Sequence, residues 1–157
     1  MASLIAPYII NAAIDSLLRG QSFFSFGTTY LALLVAEPYA EPPYYYFDTE
    51  HEVTYTGYAR RSIASTLTAW RGTDDTTAVS TGTSGTIRPT ATQFFPLCTT
   101  SSQIVTHAAL LETNVRNPTY NMVAMYWELQ RPIQLSNTSP GFYPALNGGT
   151  LTLRIDN

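Results

Sequence analysis

The chain has 157 residues and a formal net charge of −3, and 45% of its residues are hydrophobic. This length fits one domain, residues 1–157, with its own hydrophobic core. Charged residues make up only 12% of the chain and lysine is absent, which disfavours nucleic-acid binding because phosphate contacts need clustered cations.

An amphipathic helix is predicted at the N-terminus, within residues 1–20. Apolar residues recur at the i, i+3, i+4, i+7, i+8 spacing of one helix face, at Ile10, Ala13, Ile14, Leu17 and Leu18. Pro7 fits the first turn of this helix, and Gly20 lies just beyond its expected end.

The rest of the chain predicts strands and loops. Residues 28–35 form a β-branched and aromatic run that is typical of a buried strand. Further strands are expected at 53–56, 58–65, 67–70, 92–97, 104–113, 122–129, 133–136 and 151–155. Two segments, 39–52 and 71–86, are predicted to be long loops because the first is rich in proline and tyrosine and the second in Thr, Gly and Ser. The pattern favours a mainly β fold, an antiparallel β-sandwich or jelly-roll-like domain with one N-terminal α-helix.

The sequence motifs predict that the chain is not an enzyme. The nucleophile-elbow, phosphate-loop and zinc-protease motifs are absent. His51 lies between Glu50 and Glu52, but successive side chains of an extended segment point to opposite faces, so the three cannot easily hold one metal ion. His107 lies within a predicted strand, where a buried or half-buried hydrogen bond is the favoured interpretation. We therefore predict no catalytic residue, no cofactor and no metal.

The cysteine count and the hydropathy pattern argue against a disulfide, a membrane-spanning helix and a secretion signal. Cys98 stands alone, so no intrachain disulfide can form. The chain has no apolar run of about 18 residues, which a membrane-spanning helix would need, and no basic segment that would begin a secretion signal. We expect no membrane contact.

Aromatic and arginine residues are the candidates for protein contacts. All eight cationic residues are arginine, which is enriched at protein interfaces whereas lysine is depleted. The aromatic run at 44–47 is too apolar for a solvated loop; it either caps one end of the core or anchors a neighbouring subunit, with sugar binding as a third use. The candidate interface residues are Tyr44, Tyr45, Tyr46, Phe47, Arg60, Arg61, Arg71, Phe142 and Tyr143.

Several segments, taken in order, resemble a family of small tailed-bacteriophage virion proteins. They are the helix end Leu17–Gly20, then Tyr30–Leu33 with Glu37–Pro38, Gly57–Arg60, Phe94–Pro96, Val105–His107 with Leu110, Leu129 with Pro132, and Gly149–Leu153. Members of this family are labelled phage tail fibre proteins or, in some virions, capsid cement or decoration proteins. Two segments depart from the family pattern: residues 39–52 are longer and more aromatic, and 140–144 form an aromatic excursion.

The resemblance implies a non-enzymatic virion structural protein and supplies no catalytic residue. A short chain without a fibrous repeat favours a cement protein on the capsid surface, with the phage major capsid protein as partner and a homo-oligomer, trimer or dimer, as the assembled state. The alternative is a tail or tail-fibre component, with receptor binding as a potential role.

Overall fold

The computed structural model describes residues 3–23, 25–41, 44–73, 86–117, 121–136, 141–148, 151 and 153–154. These residues form one helix, α1 (Pro7–Arg19), and the following strands: β1 (Ser3–Ile5), β2 (Thr28–Leu34), β3 (Tyr39–Glu41), β4 (Tyr44–Phe47), β5 (Arg61–Ala64), β6 (Trp70–Arg71), β7 (Thr86–Pro89), β8 (Gln93–Phe94), β9 (Ile104–Leu111), β10 (Asn121–Val123), β11 (Met125–Gln134), β12 (Ala145–Leu146) and β13 (Leu153–Arg154). The predicted mainly β fold with one helix near the N-terminus is confirmed.

A five-stranded antiparallel sheet in the order β1-β11-β9-β2-β5 organises the molecule. Side chains alternate across its central strands because successive residues of a strand point to opposite faces. On β2, Leu31 and Leu33 enter one hydrophobic core and Ala32 and Leu34 enter a second. The sheet is therefore packed on both faces, as in a sandwich.

Different elements cover the two faces. The three-stranded sheet β10-β4-β3 contributes Phe47 and Val123 to the second core. The first core is larger, and it is completed by buried residues from outside the five-stranded sheet: Val53, Phe95, Cys98, Leu135, Leu146 and Leu151. The pair β8-β12 and the three-stranded sheet β13-β7-β6 complete the strand pairing among the described residues. Across these residues, no helix is both long enough and apolar enough to cross a membrane.

The helix α1 confirms the predicted start and end. It begins at Pro7 and ends before Gly20, whose backbone N–H bonds to the carbonyl of Asp15. An ordinary surface helix buries its apolar side against the core, but no residue of α1 is buried.

Segment 39–52 corrects one prediction. It was expected to be a loop, but its first half forms the antiparallel pair β3-β4, in which Tyr39 lies opposite Tyr46. Tyrosine and phenylalanine favour strands, and pairing of β4 with β10 satisfies the second edge of β4. The aromatic content therefore outweighs the loop signal from the neighbouring prolines.

Other boundaries also shift. The predicted strands 53–56 and 67–70 are mostly irregular. In the first, the backbone N–H groups of Thr54 and Thr56 bond to the side chains of Gln103 and Thr100. In the second, the N–H groups of Ala69 and Trp70 bond back to Thr66 in a local turn. Residues 122–129 divide at Ala124, whose N–H bonds to the carbonyl of Leu110 while its own carbonyl accepts a bond from the N–H of Ala6. Of the predicted strand at 133–136, residues 133 and 134 are the end of β11 and residues 135 and 136 are irregular. Most of the predicted loop at 71–86 lies outside the described residues.

Gly141 gives a testable consequence of this packing. Its φ is +71°, and a Cβ atom there would lie 2.6 Å from the carbonyl oxygen of Cys98. Gly57 has a φ of +84°, but open space surrounds its Cβ position. We expect Gly141→Ala to lower the free energy of unfolding by about 3 kcal/mol or more, since backbone strain and overlap add. Gly57→Ala should cost only about 1–2 kcal/mol. Urea denaturation of both variants measures the difference, and equal losses would contradict the overlap.

Candidate interaction surfaces

The strands β3 and β4 form a surface that we call the aromatic hairpin, residues 39–41 and 44–47. Tyr39 is 44% exposed, and its ring centroid lies 5.2 Å from that of Tyr46 and 4.4 Å from that of His51. Tyr44 is 37% exposed and lies 5.5 Å from the ring of Tyr8. These contacts limit the rotation of two exposed rings before any partner binds.

The other side of the aromatic hairpin belongs to the protein interior. Phe47 is fully buried, and Tyr45 packs edge-on against Tyr126 with ring centroids 5.4 Å apart. The sequence left open whether these aromatic residues cap the core or contact another subunit. Phe47 and Tyr45 cap the core, whereas Tyr39 and Tyr44 remain exposed. The prediction of Phe47 as an interface residue is corrected, because its side chain has no surface to offer.

Carboxylates surround the exposed rings. Asp48 accepts hydrogen bonds from the His51 ring and from the backbone N–H groups of Glu50 and His51. The hydrogen bond from His51 is the main reason that the pKa of Asp48 lies below its usual value. Tyr8 donates a hydrogen bond to Glu112. Partial desolvation, together with the charge of Asp48 and a hydrogen bond to it, raises the pKa of Tyr39.

A buried polar network lies beside the aromatic hairpin and corrects a second prediction. The guanidinium of Arg60 donates from Nε and Nη2 to the two carboxylate oxygens of Glu52, each at 2.9 Å. Arg60 also donates to the side-chain oxygen of Asn121 at 2.9 Å and to the carbonyls of Thr113 and Val115. Both side chains of the ion pair are fully buried. Arg60 is therefore an internal cross-link, not the interface anchor that the sequence suggested.

Further partners complete this network. Tyr58 donates its hydroxyl proton to Glu52 and accepts a bond from the backbone N–H of Leu33. Burial, with the charge of Glu52, holds the pKa of Tyr58 well above its usual value. Arg116 donates to Glu52 at 3.0 Å. The side-chain amide of Asn121 donates to the carbonyl of Phe47, so the network fixes the end of β4.

The remaining predicted residues lie on other elements. Arg61 is exposed on β5 and Arg71 is exposed on β6. Phe142 is half-buried against the first core and pairs with Cys98, whereas Tyr143 is 60% exposed. None of the four is part of the aromatic hairpin, and their role as interface residues stays a prediction.

One exposed surface escaped prediction. We call it the apolar helix face, formed by Ile10, Ile14, Leu17 and Leu18 of α1, which are 45%, 47%, 82% and 81% exposed. Burying an aliphatic side chain fully contributes about 1.5–3 kcal/mol. Burying the exposed fractions of these four side chains would therefore contribute roughly 4–8 kcal/mol per chain. The periodicity of the helix indicated the apolar stripe, but it could not indicate whether the stripe faces the core or the solvent.

The family model described as podophage GP4 fiber I protein gp80 matches residues 5–130. The chain belongs to this gp80 family. The match confirms the predicted resemblance to phage tail fibre proteins, and it covers most of the chain. A search of curated proteins found none that matches.

The gp80-family match includes both surfaces described above. The apolar helix face and the aromatic hairpin lie within residues 5–130, whereas Phe142 and Tyr143 lie beyond them. In this gp80-family chain, His107 is half-buried and its Nδ1 lies 2.9 Å from the hydroxyl oxygen of Thr106, which confirms the predicted hydrogen bond. Burial lowers the pKa of His107.

Proposed function

We propose that this gp80-family chain is a non-catalytic structural component of a bacteriophage tail fibre, incorporated through protein–protein contacts. The match to a fiber protein family over residues 5–130 carries this proposal. A capsid cement role, with the major capsid protein as partner, was the first expectation from the sequence. The family description supports the tail-fibre alternative better, so we rank it first.

The aromatic hairpin supports a docking role within that assembly. Tyrosine provides a large contact area at low entropic cost, and neighbouring rings already restrict Tyr39 and Tyr44. The hairpin is paired to β10 and tied to the buried network through the carbonyl of Phe47. Exposed aromatic side chains on a rigid support are the usual composition of a binding hot spot.

The position in the particle is tested on purified virions. An antibody against the chain, imaged by immunogold electron microscopy, should label the tail region. Quantitative mass spectrometry should find the chain at a small fraction of the copy number of the major capsid protein. Uniform labelling of the shell at a copy number close to that of the major capsid protein would instead establish the cement role.

The docking role predicts an assembly defect. We expect Tyr39→Ala with Tyr44→Ala to reduce incorporation into virions at least about 30-fold, since hot-spot side chains contribute about 2 kcal/mol or more. Incorporation is measured by mass spectrometry of virions that carry the variant gene. The matched control, Tyr39→Phe with Tyr44→Phe, keeps both rings and should retain most of the incorporation. Normal incorporation of the alanine variant would show that the hairpin is not the docking surface.

A further inference from the structure

The strand β5 is the last strand of the five-stranded sheet, and its outer edge has no partner strand among the described residues. It pairs with β2 alone, in a continuous register that places Ile63 opposite Thr29. Both Ser62 and Ala64 are exposed. A sheet edge of this kind offers unpaired backbone groups to another extended chain.

The alternation of the ladder determines which backbone groups of β5 are free. The N–H of Ser65 donates to the carbonyl of Gly27, so every second residue counted back from Ser65 turns its peptide groups toward β2. Ser62 and Ala64 therefore turn theirs to the open edge. The carbonyl of Ala64 accepts a bond from the N–H of Thr66. The N–H and C=O of Ser62 and the N–H of Ala64 remain for a partner.

A groove of about 260 Å³ runs along this edge. It touches Ser62, Ile63 and Ala64 in succession. Because successive side chains of a strand point to opposite faces, a groove that touches all three must follow the edge of the strand. The N–H of Thr90 donates to the carbonyl of Ala69, which ties the far wall of the groove together. This far wall includes small side chains, those of Thr68, Ala69, Thr90 and Ala91.

The far wall selects a strand whose two edges are both free. A strand that enters beside β5 meets this wall on its other side, so it cannot bring a neighbouring strand with it. Every strand in the described part of this chain is already paired on at least one edge. The described strands of a second copy therefore do not fit the groove, whereas an extended arm of a different protein does.

We propose that the outer edge of β5 is a strand-addition site for an extended arm of another protein. In strand addition, backbone hydrogen bonds provide affinity and alternate side chains provide specificity. The arm residue opposite Ile63 should be apolar, because Ile63 faces the first core. Arg61 is paired with Leu31 of the same core, so it lies on that side of the sheet, and it is exposed. The arm residue opposite Arg61, two positions away, should be acidic.

A peptide probe tests the site on the isolated full chain, independently of where the protein lies in the virion. The probe is acetyl-Thr-Thr-Val-Thr-Glu-Thr-Thr-amide, whose valine and glutamate can lie opposite Ile63 and Arg61 in an antiparallel pairing. An NMR titration of the isotope-labelled chain should shift the amides of Ser62 and Ala64. The expected dissociation constant is on the order of 1 mM, because the contact is small.

A second peptide and two pairs of variants separate the contributions. Proline in place of the two threonines beside the valine removes backbone donors and should weaken binding at least about tenfold. Ser62→Pro removes an N–H that lies only at the open edge and should weaken binding of the first probe to a similar extent, about tenfold. The matched control Ser62→Ala keeps this N–H and should bind within about twofold of the wild-type chain. Arg61→Glu should weaken binding about two- to fivefold and favour a probe with lysine in place of glutamate, whereas Arg61→Gln should show no such preference.

Unchanged amide signals of β2 and β9 report an intact sheet in each variant. If Ser62→Pro disturbs β2, the comparison of the two peptides decides, since it leaves the chain unchanged. Amides of Ser62 and Ala64 that do not shift at about 5 mM probe would overturn the proposal. So would equal binding of the proline-containing peptide. Shifts of the same amides that grow with the concentration of the chain alone would replace the arm by a second copy and overturn it as well.

Discussion

Replacing Arg60 by methionine is expected to lower the free energy of unfolding by about 3–5 kcal/mol, the range observed when one partner of a buried ion pair is removed. Glu52 is fully buried, and of its two arginine partners among the described residues it would keep Arg116. Asn121 and the carbonyls of Thr113 and Val115 would lose a donor as well. Urea denaturation followed by tryptophan fluorescence measures the loss.

The adjacent Arg61 provides a matched control. It is exposed on β5, so Arg61→Met should change the free energy of unfolding by less than about 0.5 kcal/mol. A double variant, Glu52→Gln with Arg60→Met, should lose at least about 1 kcal/mol less than the sum of the single losses, because both substitutions disrupt the same contacts. Similar losses for Arg60→Met and Arg61→Met, or strictly additive losses in the double variant, would show that the buried network does not stabilise the fold.

Trp127→Ala is expected to lower the free energy of unfolding by a comparable amount, about 3–5 kcal/mol. The indole is fully buried in the first core, on β11 between β1 and β9. Its cross-strand neighbour on β9 is Ala108, whose small side chain leaves room for the ring. Removing the ring opens a cavity in the middle of the five-stranded sheet, which the neighbouring strands cannot readily close.

Trp127→Phe tests whether the filled volume or a contact specific to the indole stabilises this site. It keeps an aromatic ring and removes less volume, so its loss should be well below that of Trp127→Ala. Thermal unfolding monitored by circular dichroism compares the two, since tryptophan fluorescence changes in both variants. Equal losses for both would indicate that a contact specific to the indole, rather than the filled volume, stabilises this site.

Local patterns predicted the elements whose signals agree with their surroundings. The strands β2 and β9 lie where β-branched and apolar runs indicated them, and α1 begins and ends at the expected proline and glycine. The aromatic hairpin was misassigned because its proline and tyrosine signals conflict. Pairing of β4 with β10 makes this segment a strand, and β10 begins at Asn121, 74 residues after Phe47.

The sequence by itself determined the mainly β content, the helix with its apolar stripe and the relation to phage fibre proteins. Only the tertiary structure decided which side chains face outward. Arg60 and Arg61 are equivalent in the sequence, but Arg60 points inward because Glu52, 8 residues away, and Asn121, 61 residues away, form its binding site. The apolar stripe of α1 has the same periodicity whether its own chain or another covers it. Its exposure follows from the way Tyr8 docks on Tyr44 and Glu112, contacts between residues far apart in the chain that no local pattern contains.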